Sequence, residues 1–375
     1  MSLTIKKITE PLLLGEGPHW DDRQQALFFV DILEYTIHKY VPATGAHTKT
    51  KLDGTVGFIV PVDGTTDQFI IGLGTRFVII QWDGEEGTPA KIVQELGAVD
   101  QDVVPENRLN DGKADPRGRI FAGTMGYEHP LGNVLPEKGS LYRVDKTGIH
   151  KLCSKIGVSN GLAWDLKKKA FYYTDTAELK IRRYDYDVDT GEISNLKYIF
   201  DLKESNVSGY PDGMTLDSDG NLWVALFNNS SVVKIDPETG KILQRVPIPA
   251  LQVTSLTFGG PKLDVLFVTS ASMNIGGAQE PPCGSTFMVT GLGVTEGLLD
   301  ALWTREKGQG DSPSKMSVDV MRIGIEKGDI ADHNTNTPAV SATPITMTTQ
   351  LTGEAPSDGF LIENHSSIKI LRSHE

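Results

Sequence analysis

Four segments of this chain align on an aspartate: Glu16-Gly-Pro-His-Trp-Asp21, Asn110-Asp-Gly-Lys-Ala-Asp115, Asn160-Gly-Leu-Ala-Trp-Asp165 and Asp212-Gly-Met-Thr-Leu-Asp217. Each leads through a short polar turn into a β-rich run: Leu-Phe-Phe-Val, Ile-Phe-Ala-Gly, Phe-Tyr-Tyr-Thr and Leu-Trp-Val-Ala. A weaker copy starts near Ser255, so the later intervals are 50, 52 and 43 residues. The first interval, 16 to 110, is 94 residues, close to two periods. That places another unit near residue 58, where Phe58-Ile-Val-Pro-Val-Asp63 is followed by a Gly-Thr-Thr turn and Gln-Phe-Ile-Ile-Gly.

A second marker recurs later in several units: Thr44-Gly45, Thr147-Gly148, Thr190-Gly191 and Thr239-Gly240 each separate β-rich stretches and read as hairpin turns, with glycine free to take positive φ. Short strands dominate and no amphipathic helix of convincing length is present. Six units with several short strands each predict an all-β, six-bladed β-propeller over 1–294. A β-solenoid shares the strand-rich pattern, although its repeats are usually shorter.

In a propeller the first strand of every blade lines the central channel, so equivalent positions in successive units face one another. Glu16, Asn110, Asn160 and Asp212 share one register, five residues before the aligned aspartate, and should converge at one mouth. Two carboxylates and two carboxamides in a confined space repel or stay unsatisfied unless something bridges them. An all-oxygen set suits one hard divalent cation, Ca²⁺, Mg²⁺ or Mn²⁺, with Zn²⁺ also compatible. The bland alternative is that polar residues at strand starts cap turns. Asp21, Asp115, Asp165 and Asp217 take that reading, as does Asp185-Tyr-Asp187-Val-Asp189, whose spacing departs from an EF-hand after its first positions.

Composition removes other classes. A net charge of −13 argues against nucleic acid and against anionic membrane surfaces. The N-terminus lacks the apolar run of a signal peptide and no stretch reaches transmembrane length, so a cytoplasmic protein, monomeric or weakly homo-oligomeric, is expected. Cys153 and Cys283 are too few for a disulfide framework or zinc cluster and read as small buried hydrophobes. His19 reads as a packed strand residue, and no G-x-S-x-G elbow is present.

Taken together, Gly15-Glu-Gly-Pro-His-Trp, Asn107-Arg-Leu-Asn-Asp-Gly-Lys-Ala-Asp-Pro, Phe121-Ala-Gly-Thr-Met, Ser159-Asn-Gly-Leu-Ala-Trp and Pro211-Asp-Gly-Met-Thr resemble the senescence-marker/gluconolactonase (regucalcin-like) family. Gly209-Tyr-Pro-Asp-Gly and Gln252-Val-Thr-Ser are similar to its insect luciferin-regenerating branch. The resemblance runs from about residue 5 to Val294 and implies a six-bladed propeller with one channel metal, held by Glu16, Asn160 and Asp212. It also implies substrate contacts from Arg108, Asn110 and Glu128. Arg108 as a salt-bridged surface arginine and Glu128 as a solvated loop acid remain the alternatives.

The activity so implied is cation-dependent hydrolysis of a lactone or similar cyclic ester, with Asp212 as general base. A calcium-binding regulatory protein without turnover, or a hydrolase of an oxyluciferin-like heterocycle, are the competing readings. Family chains end soon after the strand closing at Val294, whereas this one continues as 295–375. That extension is rich in disorder-promoting residues and is expected to be irregular or partly disordered, with strands conceivable at Met316–Ile325 and Ile368–Leu371.

Overall fold

The computed structural model describes residues 2–294 and 296–304, and the backbone of 359–363 and 367–371. Six four-stranded antiparallel sheets form between Thr4 and Thr290, one for each sequence repeat, arranged as a six-bladed propeller. The innermost strands are Gly15–Asp21, Val56–Pro61, Arg108–Ala114, Ser159–Asp165, Tyr210–Leu216 and Gln252–Gly259. Inner strands packed between two blades are buried nearly throughout, whereas outer strands such as Lys241–Pro247 alternate buried or half-buried with exposed residues, as a one-sided sheet edge requires.

The sixth blade takes its outer strand from the chain's start. Thr4–Lys7 pairs antiparallel with Phe287–Thr290, from Thr4 opposite Thr290 to Lys7 opposite Phe287. Neither four-residue segment announces this pairing by pattern, because it is purely non-local.

Every inner strand carries a register shift near its start: between Glu16 and His19, Val56 and Ile59, Leu109 and Gly112, Asn160 and Leu162, Pro211 and Met214, and Val253 and Leu256. A bulge leaves an extra residue unpaired and re-aims its side chain. Glycine beside the bulge lets neighbouring inner strands touch. A Cβ on Gly161 would lie 2.6 Å from the Asp212 carbonyl oxygen, and one on Gly213 would lie 2.1 Å from Ser255 Oγ.

The aligned aspartates do serve the turns after these strands. Asp21 Oδ1 accepts from Arg23 N, Asp115 Oδ1 from Arg117 N and Arg119 N, Asp165 Oδ1 from Lys168 N, and Asp217 Oδ1 from Asp219 N and Asn221 N. Asp187 likewise closes its hairpin tip by accepting from Asp189 N and Thr190 N. His19 is buried in its strand, and both cysteines are free and half-buried.

The chain does not leave the ring at Val294. Residues 296–304 cross the channel end opposite the bulges, bonding to the far ends of several blades: Ser218 N to Glu296 O, Leu298 N to Leu216 O, Trp303 N to Pro61 O and Thr304 N to Gly118 O. Trp303 is buried among Val62, Ala114 and Ile120. Asp300 accepts from Lys113 Nζ at 3.2 Å and Thr257 Oγ1 at 2.7 Å, and Lys113 also donates to Met214 O. This strap therefore neutralises a lysine buried in the channel. Gly359–Glu363 and Ser367–Leu371 form a separate antiparallel hairpin that includes the expected strand at Ile368–Leu371. Met316–Ile325 lies outside the described residues.

Two substitutions test the strap. Trp303→Ala should cost about 3 kcal/mol by emptying a core site. Asp300→Ala, which leaves Lys113 buried without its carboxylate, should cost about 3–5 kcal/mol. Both are read as a fall in the urea midpoint at unchanged slope, and a midpoint within error of the parent for either would contradict the assignment.

Candidate functional site

The six residues singled out in the sequence, Glu16, Arg108, Asn110, Glu128, Asn160 and Asp212, line one cleft of about 800 Å³, its open mouth included. Four come from the starts of inner strands in the first, third, fourth and fifth blades, where the bulges release side chains from strict alternation. Arg108 begins the third blade's inner strand, and Glu128 sits on the loop after Ile120–Met125.

The amides are satisfied mostly by one another. Asn110 Nδ2 donates to Asn160 Oδ1 at 2.9 Å and to Ser159 O at 2.9 Å, while Asn110 Oδ1 accepts from Arg108 Nη1 at 2.6 Å. Asn160 Nδ2 donates to Thr176 Oγ1 at 2.7 Å, and that hydroxyl donates to Pro211 O. The expected unsatisfied set thus contracts: the carboxamides form a chain across three blades, and the carboxylates are left. Glu128 Oε1 caps its own loop by accepting from Gly132 N at 2.7 Å.

The carboxylates show the strain of that confinement. Burial, then the nearby Asp111, pushes Glu16 from an ordinary 4.5 up to about 8, against a bond from Gly17 N. Burial, then Glu16 and Asp111, raises Asp212 well above the usual carboxylate range. Asp212 Oδ1 is buried without a hydrogen-bond partner, and so is Asp111 Oδ2. Arg108 is lowered by burial and raised in turn by Glu128, Glu16 and Asp212.

Asp111 is the residue that sequence reasoning passed over. Simple alternation puts it on the strand face opposite Asn110, but both fall inside the Leu109–Gly112 bulge. The available signal was the repeat itself: the neighbouring units carry Gly17, Gly161 and Gly213 immediately after the aligned polar residue, and only here does an acid stand in that place.

Among the described residues, no three His, Cys, Asp or Glu side chains converge closely enough to hold a metal ion by themselves. A cation here would rely on Glu16 and Asp212 with an amide oxygen, and Asn160 is the amide adjoining them. The donor chemistry fits a hard divalent cation: every candidate donor is oxygen, burial and then neighbouring carboxylates raise the pKa of both Glu16 and Asp212, and the Asp212 oxygen has no other partner. Around this polar floor the cleft walls are largely apolar, formed by Leu14, Met125, Val134, Phe227 and Met273 among others.

Comparison with known proteins identifies the family and supports the fold. The sequence profile described as SMP-30/Gluconolactonase/LRE-like region matches residues 14–272. Regucalcin of Sus scrofa is 37% identical over 285 residues, covering 75% of this chain and 91% of that protein. Regucalcin of Xenopus laevis is 35% identical over 291 residues, covering 76% and 94% respectively. A solved luciferin-regenerating enzyme is 39% identical, covers 81% of this chain and 100% of its own, and superposes with a TM-score of 0.75. A calcium-binding protein, regucalcin, from Agrobacterium tumefaciens shares the fold with a TM-score of 0.69 at 24% identity, covering 80% of this chain and 97% of its own. Among the described residues no helix is long and apolar enough to cross a membrane. With its repeat, its ring of blades and its profile match in agreement, this chain belongs to the SMP-30/gluconolactonase/LRE-like family.

Proposed function

We propose that this protein is a divalent-cation-dependent hydrolase of a lactone or similar cyclic ester. The observation that carries the reading is Asp212 Oδ1: buried, unbonded and facing Glu16 in a cleft whose lining cation is Arg108. Glu16, Asn160 and Asp212 would hold the ion. When bound, a hard cation supplies Lewis acidity toward a carbonyl oxygen and lowers the pKa of nearby water.

The chain's own groups account for the rest. Asp212 accepts a proton from the attacking water as its oxygen bonds to the acyl carbon. Asp212 then returns that proton to the ring oxygen as the ring C–O bond breaks, so the ring oxygen leaves as an alcohol and the product is the open hydroxy acid. Arg108 faces the developing negative charge with the guanidinium N–H groups not committed to Asn110 or Leu109 O. Asn110, bonded at once to Arg108, Asn160 and Ser159 O, fixes the spacing between the charge-stabilising side and the ion-holding side. No covalent intermediate is invoked.

Calcium binding without turnover uses the same donors and is favoured by the name of the Agrobacterium tumefaciens relative. A cleft with a half-buried arginine beside the ion-holding carboxylates favours a substrate over a bare ion.

Turnover of simple lactones by the purified full chain with Ca²⁺, Mg²⁺, Mn²⁺ or Zn²⁺ should therefore be measurable. Asp212→Ala should lower kcat by about 10²–10⁴. Arg108→Met should lower kcat/KM by about 10²–10³. Tight calcium binding with no hydrolysis of any lactone would overturn the proposal.

A stability measurement tests the ion site independently. In cation-free protein, Glu16 keeps its proton better in the fold than in the unfolded chain. Its contribution is fully present below pH 4.5 and is lost as pH rises through about 8. Chelator-treated protein should melt at progressively lower temperature across that window. A saturating divalent cation should reverse the fall, stabilise more at higher pH, and release protons on binding. A cation effect that does not grow with pH would contradict this arrangement.

A further inference from the structure

Resting on the lactonase reading, we infer that the cleft selects a lactone with an alkyl or aryl body over a polyhydroxylated sugar lactone. The argument is an inventory of what the walls offer a substrate. Leu14, Met125, Val134, Phe227 and Met273 are each less than a tenth exposed, and half-buried Ile275 joins them. They come from loops and strand ends of the first, third, fifth and sixth blades, so the apolar surface surrounds the polar floor rather than flanking one side.

The polar groups among the lining residues are mostly committed. Asn110 has both amide hydrogens and its oxygen in use, Asn160 is bonded through both Oδ1 and Nδ2, and the Thr176 hydroxyl both donates and accepts. Glu128 spends one oxygen on Gly132 N. Among these groups, what remains for a substrate is the free side of Arg108, the second oxygen of Glu128 and the carboxylates that would hold the ion. That suffices for an ester group and its developing charge. It does not suffice for a ring of hydroxyls, each of which is penalised on burial without a partner, whereas an alkyl or aryl body gains from every apolar contact.

The test compares kcat/KM of the cation-loaded full chain on δ-decalactone and dihydrocoumarin with that on D-glucono-δ-lactone, using δ-valerolactone as the unsubstituted reference. The two apolar lactones should exceed the sugar lactone by at least about tenfold, equivalent to ~1.4 kcal/mol. Ile275→Gln, at a half-buried position chosen so that the fold survives, should lower kcat/KM for δ-decalactone relative to δ-valerolactone by about fivefold or more.

Calorimetry supplies a readout apart from turnover. The non-hydrolysable lactam 6-pentylpiperidin-2-one should bind with a negative heat-capacity change and more tightly than gluconolactam. Equal or faster hydrolysis of D-glucono-δ-lactone, or tighter binding of gluconolactam, overturns the inference while leaving the lactonase reading intact. Absence of hydrolysis of every lactone overturns both.

Discussion

A ring of blades persists only if its two ends are joined, and here the joint is the pairing of Thr4–Lys7 with Phe287–Thr290. Without it the sixth blade would expose an edge strand and the ring could open. The convergence of polar side chains at the channel mouth depends on that closure, because Glu16 belongs to the first blade and Asp212 to the fifth. The neighbouring contact of Thr254 Oγ1 with Gly15 O shows the sixth and first blades meeting at the level of the site.

The two ends of the channel handle buried charge in opposite ways. At the strap end, Lys113 meets Asp300, and Asp300 also accepts from Thr257, so a buried ion pair carries additional hydrogen bonds. At the bulge end, Glu16 and Asp212 share the cleft with Arg108 as the lining cation, and Asp111, which also feels Lys113 and Asp300 from the strap end, adds its charge from behind; one oxygen each of Asp111 and Asp212 has no hydrogen-bond partner. A fold that neutralises one end and leaves the other short of positive charge has placed its unmet electrostatic demand where a cation and a substrate can enter.

The turn aspartates show how much depends on position within one repeat. Asp21, Asp115 and Asp217 are as buried as Glu16 or Asp212, yet arginine, lysine or backbone N–H groups surround them. Asp21 and Asp217 are held below the usual carboxylate range despite their burial, by hydrogen bonds and charge from Arg23 and from Lys234 respectively. Five residues along the strand separate a structural carboxylate from one whose pKa is raised by burial and by neighbouring carboxylates.

Much of the fold was legible in the sequence, because a fifty-residue repeat restates the same strand and turn chemistry six times and the channel-facing register follows from it. The repeat also picked out Glu16, Asn110, Asn160 and Asp212, and family resemblance added Arg108 and Glu128; all six line one cleft. What the sequence left undecided was everything set by contacts between distant segments. The N-terminal closing strand, the strap through Asp300 and Trp303, and the pairing of Asn110 with Asn160 join residues that no local pattern connects. Asp111 turned toward the carboxylate cluster because a bulge, fixed by close packing between neighbouring inner strands, overrode the two-residue alternation that sequence alone supplies.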